Sequence, residues 1–134
     1  MNSEIKMICR QIVASVDDEA AGPSYSVTSL SNALSALGSD SKVMAIGRRM
    51  SEPGLEIFRQ DWGLFPGIKR LMFSASLMHA LEQSARKGAV IHSHGLWLMP
   101  NIQPARIAAR NGVPFLVSPR GMLGSKALDF SSRR

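Results

Sequence analysis

Cysteine is nearly absent: Cys9 is the only one in 134 residues. An internal disulfide is therefore excluded, and such sparing use fits a reducing compartment. Cys9 lies inside an apolar run, where a small buried hydrophobe is expected rather than a nucleophile. No apolar stretch approaches the roughly 20 residues that a membrane-spanning helix needs. The N-terminus does not read as a signal peptide, because Lys6, Arg10 and Gln11 interrupt IKMICRQIV where an apolar core belongs. A cytoplasmic chain is the expectation. Aromatics are scarce at 6%. Among the basic residues of the last third only Phe115 and Phe130 are interleaved, so the stacking platform of a nucleic-acid module is missing and no nucleic-acid partner is expected. A dinucleotide fingerprint would need G-x-G-x-x-G after the first strand, where Gly22 stands alone. GMLGSK, residues 121–126, has the wrong spacing for a P-loop.

What is present is an ordinary apolar fraction, 45%, in a length suited to one domain with a sizeable core. The net charge is +6. After His94 the charged residues are Arg106, Arg110, Arg120, Lys126, Arg133 and Arg134 against Asp129 alone. That surplus favours an anionic partner, or forms a solvated basic face.

Strand and helix patterns alternate. Residues 6–13 (KMICRQIV), 42–46 (KVMAI), 55–60 (LEIFRQ), 89–93 (AVIHS) and 114–118 (PFLVS) read as strands. Residues 16–24 read as a loop. Val27, Leu30, Leu34 and Leu37 form one stripe of a helix, with Ser24 or Ser26 as its cap and Gly38 as its stop. A long helix is expected over 68–87, with Leu71, Met78, Leu81 and Ala85 on one face. Another is expected from Asn101 or Gln103 to Asn111, so that Pro104 stays in its first turn. A last helix begins near Leu123 or Ser125. Strands separated by helices in this way imply right-handed crossovers and an α/β fold, a Rossmann-like parallel sheet covered on both faces. The loops VDDEAAGPS, HSHGLW and SPRGML all follow strands and should share the carboxyl edge, where such sheets bind ligands.

Three places carry chemistry. His92 and His94, two apart on a strand, share a face. No third ligand has metal-site spacing to them, so no metal is expected. Each is open to a structural role, or to work as a base or hydrogen-bonding group. Gly22 precedes a helix start, which suits close approach of a phosphate or simply a turn. Arg120 can fork onto an anion or lie solvated on the surface.

Taken in order, QIVASVDDEAAGPSYSV, SLSNALSALG, VIHSHGLW and VPFLVSPRGML resemble the N-terminal part of the family-4, or group 1, glycosyltransferases, which have the two-domain GT-B fold. FRQDWGLFPGIKRL is similar to the loop before that family's long helix. The resemblance implies a retaining transfer of sugar from a nucleotide-sugar donor to an acceptor hydroxyl, in surface polysaccharide or lipopolysaccharide synthesis. It makes His94 the catalytic residue, facing the cleft beside the transferred sugar, with His92 as structural support. It makes Gly22 a substrate-binding residue beside the donor diphosphate. Ala21 replaces the preceding glycine, and alanine resists positive φ. Arg120 becomes a second substrate-binding residue, and no cofactor or metal is called for.

The family holds its donor chiefly through a second domain with a glutamate-x7-glutamate motif, and no two of Glu4, Glu19, Glu52, Glu56 and Glu82 have that spacing. The expectation is that residues 1–134 form a truncated N-terminal, acceptor-side domain, the nucleotide-sugar domain being absent. With no second cleft wall to exclude water, little activity is expected in isolation. The implied partners are a nucleotide-sugar donor, a glycan or lipid-linked acceptor, and a peripheral contact at the inner face of the membrane. The alternative is a non-enzymatic half-Rossmann module that binds an anionic ligand, a membrane surface or a partner chain.

Overall fold

Every apolar run marked as a strand enters a single sheet. The computed structural model describes residues 6–17, 22–62, 64–96, 98–120 and 124–125. Its strands are β1 (Ile8–Val13), β2 (Asp40–Ile46), β3 (Leu55–Phe58), β4 (Val90–His94) and β5 (Phe115–Ser118), all parallel and ordered β3-β2-β1-β4-β5. The helices are α1 (Gly22–Ala36), α2 (Pro66–Lys69), α3 (Ala75–Arg86) and α4 (Met99–Asn111). The fold is thus α/β, an all-parallel five-stranded sheet flanked by helices, consistent with a Rossmann-like unit.

Alternation along the strands sends side chains to two cores. Val13, Val43, Ala45 and Leu55 face α1 and pack on Val27. Ile12, Met44, Ile46 and Ile91 face the other way, against Leu77, Leu81 and Ala85 of α3 and Ile107 and Ala108 of α4. Each of the large residues withdrawn there from water contributes about 1.5–3 kcal/mol. Arg10, a charged residue in the middle of β1, is buried at the amino edge. It donates to the Asp40 carbonyl (2.9 Å), the Cys9 carbonyl (3.2 Å) and Ser84 Oγ (3.1 Å). Its guanidinium also holds the Asp40 carboxyl below its ordinary pKa. Cys9 is buried, and burial raises its thiol pKa.

Several boundaries differ from the sequence pattern. The helix expected over 68–87 is two helices. The chain turns between them at Met72, whose φ is 55°, and α3 restarts at Ser74, whose Oγ accepts from Leu77 N–H at 3.3 Å. Asp61 accepts from Ala75 N–H at 2.7 Å and holds the restart in place. Leu71 is consequently exposed rather than part of the α3 stripe, and Leu37 lies exposed beyond the end of α1. Helix α1 already begins at Gly22, so Ser24 and Ser26 lie within it instead of capping it. Helix α4 begins at Met99 with Pro100 in its first turn, which leaves Pro104 inside the helix. Pro104 is fully buried, and that burial offsets the missing hydrogen bond. Gly38 ends α1 at φ 95°, with Ser39 N–H bonded back to the Leu34 carbonyl. The expected loop residues 18–21 (including Ala21), Trp97, residues 121–123 and most of the last expected helix lie outside the described residues. Among those described, no helix is long and apolar enough to cross a membrane.

Candidate functional site

From β1 the chain moves outward to β2 and β3, then returns to lay β4 and β5 on the other side of β1. The strand order therefore reverses between β1 and β4, where sheets of this kind form a ligand crevice at the carboxyl edge. His94 is the last residue of β4 and sits at that point. In register, Gln11 lies beside His92 and Val13 beside His94. Gln11, His92 and His94 therefore share the face that α1 covers farther along the sheet.

His94 is 3% exposed, and both of its ring nitrogens are engaged. Arg120 approaches Nδ1 through Nη2 (2.8 Å) and Nε (3.2 Å). A guanidinium has only donors, so Nδ1 must be the bare nitrogen. The ring hydrogen is then on Nε2, which donates to Gln11 Oε1 at 2.6 Å. The Gln11 amide nitrogen in turn donates to Cys9 Sγ at 3.1 Å. Burial, with the neighbouring His92 and the Arg120 charge, lowers the His94 pKa from 6.5 to about 3. The ring is a neutral imidazole, aimed by its neighbours.

His92 stacks on it, with ring centroids 4.0 Å apart, and bonds Ser118 Oγ at 2.8 Å. Its pKa is lowered too, by burial first and then by Arg120. Below the pair, Asn101 of α4 donates to the His94 carbonyl (3.0 Å) and to Ser93 Oγ (3.2 Å), clamping the end of β4. Gly95 follows at φ 100° and donates to the Ser118 carbonyl at 2.8 Å. Only a residue without Cβ takes that turn at low cost.

Of the three expected site residues, His94 and Arg120 touch at this edge, and Gly22 begins the helix that Arg120 reaches. Arg120, two residues after β5 with φ 54°, reaches across the sheet. Its Nη1 donates to Ser26 Oγ at 3.0 Å, inside the helix that Gly22 opens. Helix α1, the end of β4 and the turn after β5 are thereby tied together through one guanidinium. Gln11 and Asn101 escaped the sequence pattern. Their one signal is chemical: an amide amid Ile, Cys and Val in β1, and another in the first turn of α4. Among the described residues, no three His, Cys, Asp or Glu side chains gather in a way that could hold a metal ion.

The second end of the carboxyl edge is different in kind. Between the turns after β1, β2 and β3 lies a cleft of about 720 Å³, lined by Arg48, Arg49, Arg59 and Lys69 among others. Neither His94 nor Arg120 lines it.

Compared with known proteins, the chain matches no family model, no curated protein and no solved structure.

Proposed function

We propose that the chain is the acceptor-side, Rossmann-like part of a retaining GT-B glycosyltransferase of surface polysaccharide or lipopolysaccharide synthesis. Such an enzyme moves a sugar from a nucleotide-sugar donor to an acceptor hydroxyl. One observation carries the reading: at the point where the strand order reverses, Arg120 joins His94 to Ser26 of α1, the helix that Gly22 opens.

Each residue has a physical task there. The first turn of α1 has backbone N–H groups without helical partners, and with Gly22 at its start a diphosphate can come close to them. Arg120 adds a positive charge where the leaving diphosphate gains negative charge. His94 is poorly suited to act as a base, since burial lowers its pKa to about 3 and Arg120 already donates to its one bare nitrogen. It positions substrate instead: a sugar hydroxyl that takes the place of Arg120 at Nδ1 finds a fixed acceptor, and the freed guanidinium turns to the phosphates.

The test joins this chain to a nucleotide-sugar-binding domain and follows nucleoside diphosphate release over a panel of uridine and guanosine diphosphate sugars. Turnover is expected with at least one donor, and His94→Ala should lower it about 100-fold or more, as loss of one fixed hydrogen-bonding group does. Unchanged turnover in that variant would remove the role of His94. No turnover with any donor would remove the transferase reading.

A further inference from the structure

The cleft between the turns after β1, β2 and β3 has a volume of about 720 Å³, the size of a small-molecule site. Among the described residues four cationic side chains line it against one carboxylate, that of Asp17. Arg49 is held by Glu52 (3.3 Å) and the Val16 carbonyl (3.4 Å). Arg48, Arg59 and Lys69 have no ion-pair partner among the described residues, and all three are exposed. Like charges gathered around one cavity repel one another, and that repulsion is relieved when an anion sits between them.

The rest of the lining is suited to hydroxyl groups. Strand β2 is followed by Gly47, and a Cβ there would overlap the Asp17 carboxylate, so the carboxylate rests directly on this backbone. Gln60 donates through Nε2 to the Lys69 carbonyl at 2.6 Å, which fixes its amide and leaves Oε1 as an acceptor. Phe58 and Met72 supply an apolar wall. Fixed acceptors, an apolar wall and three unpaired cations describe a site for a polyol that carries negative charge.

We propose that this cleft binds a hydroxylated small molecule bearing a phosphate or carboxylate, with Arg48, Arg59 and Lys69 on the anion and Asp17 and Gln60 on the hydroxyls. Identifying that molecule as the sugar acceptor rests on the transferase reading. The binding itself does not.

Isothermal titration of the chain tests it, with glucose 1-phosphate, glucose 6-phosphate, glycerol 3-phosphate and glucuronate as probes and glucose as the neutral control. At least one charged probe should bind and glucose should not. The phosphate and uronate arms identify which anion the cleft prefers. Arg59→Ala and Lys69→Ala should each weaken binding about ten-fold, with Arg59→Lys retaining most of it. Asp17→Asn should weaken a sugar phosphate while leaving inorganic phosphate unaffected. Both alanine sites are exposed, and an unchanged thermal unfolding midpoint separates lost binding from lost structure. Glucose binding as tightly as its phosphates, no binding of any charged probe at millimolar concentration, or affinity unchanged from the unsubstituted chain in both alanine variants would each overturn the site. Binding without turnover in the joined enzyme removes the transferase reading and leaves the cleft. Turnover indifferent to Arg59 and Lys69 leaves the transferase reading and removes the identification of the cleft's ligand as the acceptor.

Discussion

The two ends of the sheet's carboxyl edge solve opposite problems. Around β1, β4 and β5 the polar groups are already paired: buried Cys9, Gln11 and His94 run on to exposed Arg120 and half-buried Ser26 in one chain of hydrogen bonds. Around β2 and β3 the cations are exposed, and three lack a partner among the described residues. The first arrangement is bound into the stability of the fold, because removing one of its buried members leaves another buried group unsatisfied. The second is nearly independent of folding and is free to be organised by a ligand. Changes at the first end should therefore register in stability, and changes at the second in binding.

The largest expected effect is on pH dependence. The folded pKa of His94 is about 3, below its ordinary 6.5, so the unfolded chain binds the proton first. Stability is complete above pH 6.5 and falls as pH drops toward 3, with His94 contributing about 1.4 kcal/mol per pH unit inside that window. His92 adds a loss of the same sign. Urea unfolding across this range should show the slope, and His94→Gln should flatten it. An equal slope in that variant would mean that the ring is not held neutral.

Next in size is Gln11→Leu. The side chain is close in volume but leaves the buried Nε2–H of His94 without an acceptor, so about 1–3 kcal/mol of stability should be lost. A shift in the urea midpoint at constant slope measures it. Arg120→Ala should cost less, because Arg120 is exposed and water can replace it. Its signature is spectroscopic: with the neighbouring charge gone, the His94 pKa should rise, as a proton NMR titration would show. The smallest effects on stability belong to the cleft. Arg59→Ala and Lys69→Ala should change it by no more than about 0.5 kcal/mol while altering anion binding. A large loss of stability there would erase the contrast between the two ends.

Much of the fold was legible in the sequence, for a simple reason. Each strand is a short apolar run closed by turn residues, and each of the five falls within two residues of where that pattern places it. The helices were legible in place better than in extent, and the one expected over 68–87 is two. Leu71 continues the spacing of Met78, Leu81 and Ala85, and nothing local says that the chain turns back at Met72. That turn depends on Asp61 receiving Ala75 N–H from across a 14-residue separation. Pro104 likewise reads locally as a helix start, until its burial in the packed interior shows why the helix runs through it.

The site divides in the same way. His94, Gly22 and Arg120 stood out because short motifs follow strands, and strand ends share an edge. Gln11 did not stand out, because a single amide in an apolar strand becomes informative only when a neighbouring strand sets a ring against it. The cleft cations were invisible as a group: Arg48 and Arg59 follow two different strands and Lys69 ends α2, each unremarkable along the chain.

What the sequence by itself determined is the alternation of apolar runs and amphipathic helices, and with it a parallel sheet whose functional loops share one edge. The physical reason is that periodicity and turn chemistry are local, acting within a few residues. What only the tertiary structure decided is which polar groups meet: the neutral state of His94, its aim by Gln11 and Arg120, and the gathering of unpaired cations beside β3. Those depend on strand register and burial, which arise only when distant segments exclude water together.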